Sequence, residues 1–189
     1  MKLRLCLAVL LLALCTGVQA AFDVDQLMAD LAQHPGGRAR FVEKRYLALL
    51  DKPVVASGEM VYTPPDRLER RTLLPKPETL VLDKNTLTME RDKRRLSVDL
   101  GSRPEAQAFV ESIRSALSGN RAALERHYTL QLQGSSALWT LVLVPTEPGI
   151  AALLQRITMT GNKGQVRQIE YLLSDGDRSE LAIEPIDTP

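Results

Sequence analysis

The residues most often used in catalysis are few in this 189-residue chain, and their spacing matches no known site. His34 and His127 are its two histidines, and neither has a partner at the spacing of metal ligands. His34 precedes a proline, which is typical of a helix end, and His127 precedes a strand-like segment. Both histidines are therefore expected to be structural or surface residues.

Three other motifs are equally weak as signals of chemistry. Ser135–Ser136 occupies a turn without the pattern of a nucleophile elbow, and Gly161–Gly164 has too few glycines to cradle a phosphate. Asp175 and Asp177 could hold calcium, but two acids in a turn more simply form a hairpin. Paired acids for glycoside chemistry stay open, since any β domain offers many candidates. The sequence predicts a non-enzyme with no cofactor and no metal.

The first twenty residues have the features of a secretory signal. Lys2 and Arg4 precede the apolar segment Leu5–Leu14, and Val18–Ala20 suits cleavage after Ala20. A permanent membrane anchor needs about 20 apolar residues, so this segment is too short for one. We expect residues 1–20 to be a cleaved signal peptide, residues 21–189 to be one domain, and the mature protein to be periplasmic.

Cleavage would remove both cysteines, Cys6 and Cys15, so no disulfide or thiolate site is expected. Leu14 precedes Cys15 where lipoprotein processing needs a small residue, which argues against acylation. Cleavage also removes two of the 24 basic residues and none of the 23 acidic ones, leaving a net charge near −1. That balance gives no drive toward nucleic acid, and a monomer is expected.

Short segments of alternating polarity, bounded by turn residues, predict an antiparallel β protein. A helix capped by Asp23, with Gln26 completing a capping box, precedes them. A second box at Ser102 and Glu105 predicts a helix ending at Gly119. Thr146 is expected to cap a short helix that carries Ile150, Leu153 and Leu154. The predicted strands are Arg38–Leu50, Val54–Thr63, Arg67–Leu74, Glu78–Lys84, Thr86–Arg91, Arg94–Leu100, Tyr128–Gln133, Ala137–Val144, Arg156–Thr160, Gln165–Leu173 and Arg178–Glu184.

The segment Ala137–Val144 is apolar at both odd and even positions, which predicts that this strand is covered on both faces. The fold class is mainly β (α+β): an open, about eleven-stranded antiparallel half-barrel whose concave face is covered by helices. Those helices either fill the concavity as a core or cover a lipid-sized cavity, and periodicity leaves both alternatives open.

The order of these elements resembles the periplasmic outer-membrane lipoprotein carrier family, LolA with its receptor relative LolB. The resemblance covers nearly the whole mature chain. The segments that carry it are Phe41–Arg45, Ser57–Tyr62 continuing into Pro65–Leu68, Trp139–Pro145, Ile169–Glu170 and Asp175–Arg178.

The resemblance implies an apolar cavity that shields acyl chains from water under a helical lid. Where the lipoprotein carrier has an arginine that latches the lid, this chain has Pro64, and its aromatic content is only 4%. The sequence therefore favours a related role, carrying a lipid or fatty-acyl product for an export system, over lipoprotein sorting itself. An inner-membrane lipid exporter and an outer-membrane acceptor would be the partners, with transient membrane contact at most.

The carrier hypothesis predicts a set of apolar residues that line the cavity or form core. They are Phe41, Met60, Tyr62, Leu80, Leu82, Leu96, Val98, Leu130, Leu132, Trp139, Leu141, Ile157 and Met159.

Two basic clusters support a second hypothesis, a protein-interaction or sensor module on the same scaffold. They also suit anionic lipid, although charge runs commonly form a solvated face. The clusters comprise Arg67, Arg70 and Arg71, and Arg91, Lys93, Arg94 and Arg95.

Overall fold

A computed structural model describes residues 22–34 and 36–186, apart from the side chains of residues 104 and 105. The strands in this part of the chain are β1 (Gly37–Tyr46), β2 (Val54–Thr63), β3 (Arg67–Leu74), β4 (Glu78–Asp83), β5 (Thr86–Arg91), β6 (Arg94–Asp99), β7 (Tyr128–Ser135), β8 (Leu138–Pro145), β9 (Leu154–Asn162), β10 (Gln165–Leu173) and β11 (Arg178–Ile186).

All eleven strands belong to one sheet with the order β6-β5-β4-β3-β2-β1-β11-β10-β9-β8-β7. Each neighbouring pair is antiparallel, because tight turns connect most successive strands. The edges β6 and β7 do not pair with each other, so the sheet stays open. The predicted open, eleven-stranded antiparallel architecture is confirmed.

Strand boundaries differ from the predicted ones mainly in β1 and β9. β1 ends at Tyr46 rather than at Leu50, because the chain turns there and the amide of Ala48 donates to Asp177 Oδ1 at 2.8 Å. Leu49 in this turn is 97% exposed. β9 begins earlier than predicted, at Leu154, which is buried.

The helices are α1 (Val24–Ala32), α2 (Pro104–Leu117), α3 (Arg121–Glu125) and α4 (Pro148–Ala151), with a 3-10 turn at Leu100–Ser102. Asp23 caps α1 as predicted and accepts from the Gln26 amide at 2.9 Å. The predicted reciprocal half of that box is wrong, because the Gln26 side chain bonds Asp30 instead.

The other two predicted caps are also wrong. α2 begins after Arg103 with Pro104 in its first turn and no side-chain cap, while the Ser102 hydroxyl donates to the carbonyl of Asp99. Proline suits the first helical turn because its missing N–H has no intrahelical acceptor there. α4 is preceded by Glu147 rather than capped by Thr146.

One hydrophobic core forms where the helices meet one face of the sheet, here called the inner face. Leu27 and Leu31 of α1 are buried there in one cluster with Trp139, Leu141 and other strand residues. The prediction that β8 is covered on both faces is wrong. Leu138, on the outer face of β8, is 71% exposed.

Candidate ligand-binding face

Strand register places the whole predicted apolar set on the inner face. Directly opposed residues of an antiparallel pair share a face, and residues two apart along a strand share it too. From the edge β6, one inner-face row is Leu96, Met89, Leu80, Arg70 and Met60, and a second is Val98, Leu87, Leu82, Leu68 and Tyr62. From the edge β7, one row is Leu130, Leu143 and Ile157, and the other is Leu132, Leu141 and Met159. Trp139 lies two positions from Leu141 along β8 and so shares this face. Phe41 lies two positions from Ala39, which is opposite Met60.

The inner face is covered unequally along the sheet. In β1 and β7–β11, here called the closed half, Phe41, Trp139, Leu141, Ile157 and Met159 are at most 2% exposed. Helix residues pack directly against them in the core. Leu130 and Leu132, in the edge strand, are partly buried against the same core. In the closed half the predicted residues are therefore mostly core as the structure stands.

Strands β3–β6, here called the open wing, are covered only in part. Leu82 is buried, whereas Leu80 and Val98 are half-buried and Leu96 is 55% exposed. Leu87 and Met89, which sequence reasoning did not single out, are half-buried on the same rows. The open wing thus presents a strip of incompletely covered apolar side chains on the face that the helices occupy elsewhere.

An apolar cavity of about 110 Å³ lies where the closed half meets the open wing. Its walls come from the ends of α1 and α2 and from β1, β2, β3, β10 and β11. Met60 and Tyr62 of the predicted set line it. Sequence reasoning missed the other apolar walls, which are Leu31, Leu68, Leu117, Val166 and Ile183. Their helical or alternating spacing marks them as buried, but no pattern in the sequence shows that these distant segments meet.

The cavity continues onto the open wing through Leu68. Leu68 lies opposite Leu82, which lies opposite Leu87, which lies opposite Val98. Adjacent strands are about 4.8 Å apart, so the path from β2 to β6 is about 19 Å long. That length suits an extended long acyl chain.

A partly buried ion pair interrupts the apolar inner face beside this path. Arg70 Nη2 donates to Glu43 Oε2 at 2.6 Å, and Ser179 donates to Glu43 Oε1 at 2.7 Å. The guanidinium of Arg70 also stacks 4.4 Å from the ring centroid of Phe41, and its buried Nε has no hydrogen-bond partner among the described residues. Arg70 therefore lies on the inner face, apart from Arg67 and Arg71, which lie on the outer face of the same strand.

The electrostatics of the pair keep Glu43 ionised. Burial raises the pKa of Glu43, but the hydrogen bond from Ser179 and the charge of Arg70 outweigh burial and hold the pKa below its ordinary value. Burial raises the pKa of the nearby Tyr171 phenol and that of Tyr128, the latter to about 12. The tyrosines therefore stay neutral, whereas the ion pair places charge on the inner face beside the apolar path.

The remaining basic residues of the predicted clusters do not form one surface. Arg67, Arg71 and Arg95 lie on the outer face of the open wing, each within 3.4 Å of a carboxylate. Arg91 lies on the inner face and is 3.6 Å from Glu78. Lys93 and Arg94 are exposed at the β5–β6 hairpin and its first ladder position.

A single arginine fastens the end of α2 to the open wing. Arg114 Nη1 donates to the carbonyl of Lys84 at 3.1 Å and lies 3.7 Å from Asp66, while its Nη2 bonds Glu111. Asp66 is in the β2–β3 turn, directly after Pro64 and Pro65. Here the helix supplies the arginine and the end of the sheet supplies the acceptors.

The histidines and the acidic pair singled out in the sequence make local contacts in the structure. His127 Nδ1 is 2.5 Å from Glu147 Oε1 on the surface, and His34 Nε2 is 3.4 Å from Gln165 Nε2. Asp175 and Asp177 each accept a backbone N–H in or beside the closing hairpin. Across residues 22–34 and 36–186, no three side chains of His, Cys, Asp or Glu are grouped for a metal ion. None of the helices described above is long and apolar enough to cross a membrane.

Comparison with known proteins gave one family match and several distant structural neighbours. The family model described as outer membrane lipoprotein carrier protein LolA-like matches residues 16–183. A LolA superfamily protein from Nitrosomonas europaea is 10% identical, with a TM-score of 0.43, and the match covers 87% of this chain and 93% of that one. No curated protein matched the chain.

Two further neighbours have similar scores. MucB, in the MucA/MucB complex of Pseudomonas aeruginosa, is 12% identical with a TM-score of 0.48; the match covers 88% of this chain but 58% of MucB. The lipoprotein LppX of Mycobacterium tuberculosis is 9% identical with a TM-score of 0.38, over 86% of this chain and 98% of LppX.

Proposed function

Because the chain belongs to the LolA-like family of outer membrane lipoprotein carrier proteins, we propose that it is a periplasmic carrier of an acyl chain. The ligand would be a lipid, a lipoprotein acyl chain or a fatty-acyl product, held between the helices and the inner face of the sheet. The protein would shuttle it from an inner-membrane exporter to an outer-membrane acceptor as a monomer, touching membranes only transiently. This binding role, without a catalytic step, agrees with the carrier character of the family.

The cavity and its continuation onto the open wing carry this proposal. Each buried CH₂ group contributes about 0.8 kcal/mol, so a carrier needs an extended apolar surface. The cavity of about 110 Å³ is small for a ligand site, and ligand pockets commonly have volumes of about 300–1,000 Å³. The half-covered residues Leu80, Leu87 and Met89 supply the additional surface. Release of the α2 end at Arg114 would widen the path between cavity and wing.

Export and processing are part of the proposal. Residues 1–20, with the signal features and the cleavage site after Ala20, lie outside the described residues. We propose that they are removed and that residues 21–189 act as the lipid-carrier domain. N-terminal sequencing of periplasmic protein would show Ala21 first, and a retained Met1 would contradict this.

Native mass spectrometry with a matched pair of variants tests the binding role. Leu68→Trp places a bulky ring in the wall of the cavity, whereas Leu73→Trp places the same ring on the exposed, opposite face of the same strand. After incubation with palmitate and phospholipid, the wild type and Leu73→Trp should carry a stoichiometric adduct, and Leu68→Trp should not. A bare wild-type mass would mean that the helices fill the inner face as a core.

One observation favours the protein-interaction module as a second candidate. β6 is an edge strand whose residues are nearly all exposed, and it carries Arg94, Arg95 and the exposed Leu96. An unpaired edge can accept a strand from an acidic partner. Charge reversal in Arg94→Glu with Arg95→Glu would abolish capture of such a partner. Under the carrier proposal, the same double variant keeps its lipid adduct.

A further inference from the structure

A polar basin adjoins the apolar cavity at the end of α1. The β9–β10 hairpin and the last turn of α1 form it, and His34, Gly164 and Gln165 line both the basin and the cavity. The two depressions are therefore adjacent, and the basin is the one whose lining residues are mostly polar or charged. The basin lies beside the end of the cavity that is away from the open wing.

The hairpin that forms the basin is held rigidly in place. Trp139 Nε1 donates to the carbonyl of Lys163 at 2.8 Å, and the Lys163 amide donates to Ser136 at 2.6 Å. A Cβ on Gly161 would come within 2.4 Å of the Trp139 ring, and one on Gly164 within 2.2 Å of the Asp30 carbonyl. Only glycine permits these close approaches. The hairpin is fixed before any ligand arrives.

A chain of hydrogen bonds orients the polar groups of the basin. Arg167 Nη2 donates to Gln165 Oε1 at 2.6 Å, which turns the Gln165 amide nitrogen toward His34 Nε2 at 3.4 Å. The Arg167 Nε also donates to Asn162 at 3.4 Å. Arg167 is thus held by its Nε and one terminal nitrogen, leaving its other terminal nitrogen for a ligand.

The charge of the basin favours an anion. Lys163 and Arg167 both line it, and within the described residues neither has a carboxylate within 4.0 Å. The carboxylate in the basin is that of Asp30, which already accepts from Gln26 Nε2 at 2.8 Å. Lys163 and Arg167 together outweigh the charge of Asp30, so the basin has a net positive charge beside the apolar cavity.

We infer that this basin binds the anionic headgroup of a single-chain amphiphile whose acyl chain enters the adjoining cavity. The inference rests on the proposed carrier function and names its ligand class. A phosphate or a carboxylate is the shared chemistry, since Lys163 and Arg167 give charge-assisted hydrogen bonds to either. The headgroup would stay in the basin while the chain passes Leu68 toward the open wing.

Affinities for three lipids with the same acyl chain test this assignment. Oleate, oleoyl lysophosphatidate and the uncharged monoolein would be titrated against the exported protein by displacement of an apolar fluorescent probe. The wild type should bind at least one anionic lipid about tenfold more tightly than monoolein, the effect of one charge-assisted contact. Lys163→Ala with Arg167→Ala should abolish that preference and leave the monoolein affinity within about twofold.

The control variant removes the same charge elsewhere. Lys52→Ala with Lys76→Ala alters two exposed turns at the other end of the strands and should keep the preference. Preference for lysophosphatidate alone identifies a phosphate site, and preference for both anions identifies a general anion site. Equal affinity for all three lipids, or a preference that survives in Lys163→Ala with Arg167→Ala, would overturn the headgroup site and leave the carrier proposal intact. Failure to bind any of them would contradict both.

Discussion

The closed half and the open wing have the same alternation of apolar and polar residues, yet helices bury the inner face only in the closed half. Leu141 in the closed half is 0% exposed, whereas Leu96 on the same inner face of the open wing is 55% exposed. The difference comes from the helices: α1, α3 and α4 contact strands of the closed half, and α2 reaches the open wing through Arg114. The same strand pattern therefore gives a core under helices and a groove beside them.

The largest expected contrast is in stability. Leu141→Ala should destabilise the fold by about 3 kcal/mol, because it leaves a cavity in a core that cannot collapse. Leu96→Ala should change stability by less than about 0.5 kcal/mol. Urea unfolding of both variants measures the contrast. Equal losses would show that the open wing is packed as tightly as the closed half.

The ion pair at the boundary of the two regions should have the next largest effect. Glu43→Gln leaves the Arg70 guanidinium, which is 21% exposed, without its charged partner. We expect a loss of about 2 kcal/mol at neutral pH, below the full cost of breaking a deeply buried pair. Arg91→Ala is the control, because it removes an ion pair with Glu78 in which the arginine side chain is about half exposed. Its loss should lower the free energy of unfolding by less than about 0.5 kcal/mol.

The stability due to Glu43 should also depend on pH. Its pKa is lower in the folded state than the ordinary 4.5, so the unfolded state binds the proton more tightly. The contribution is fully present above the ordinary pKa and is lost as pH falls through the folded pKa. Unfolding curves of wild type and Glu43→Gln should therefore converge on acidification. A gap that stays constant or widens toward low pH would contradict the assignment.

Removal of the Arg114 contact should have a smaller and local effect. Arg114→Ala should cost about 1 kcal/mol and raise amide exchange in the last turns of α2. Release and uptake of acyl ligand should become faster, because the end of the helix is no longer fastened to Lys84. Arg126→Ala, which removes a more exposed arginine beside Glu111, should change neither exchange in α2 nor ligand kinetics.

The smallest effects on stability are expected at two exposed leucines, Leu96 and Leu138, which should differ in acyl binding. Leu96→Ser and Leu138→Ser should each leave stability within about 0.5 kcal/mol of the wild type. Only Leu96→Ser should weaken acyl binding, by about threefold, because Leu96 lies on the inner face and Leu138 on the outer one. Equal acyl affinities for the two variants would place the ligand away from β6.

Much of the sheet was predictable from sequence because its turns are strongly marked. Pro53, Pro64–Pro65 and Asp175–Gly176 delimit strands close to their observed bounds. Alternation supplied the candidate apolar residues, and strand register then showed which face of each strand points inward. The capping box predicted at Ser102 and the single cap predicted at Thr146 were both wrong, because local side-chain patterns compete with proline and with the chain path.

What sequence could not give is the set of contacts between distant segments. Alternation predicts the same inward orientation for Leu96 and Leu141, because it indicates the face on which a residue lies. It does not indicate whether a helix covers that face, which decides the exposure of each residue. Arg70 belongs to a basic run in sequence, but register turns it inward to Glu43, whereas Arg67 and Arg71 turn outward. Leu31, Leu117 and Ile183 line the same cavity. They are far apart in the sequence, and no sequence pattern predicts that they meet.

Hydrogen exchange of the exported protein, with and without a bound acyl ligand, tests most directly the claim that the core under the helices is scaffold and that the acyl chain extends from the cavity along the open wing. We predict that ligand increases protection of amides in β3–β5 and in the last turns of α2. Amides of β8 and β9, already buried in the core, should exchange as before. Protection confined to the closed half, or unchanged exchange throughout the open wing with ligand bound, would contradict this division of the sheet.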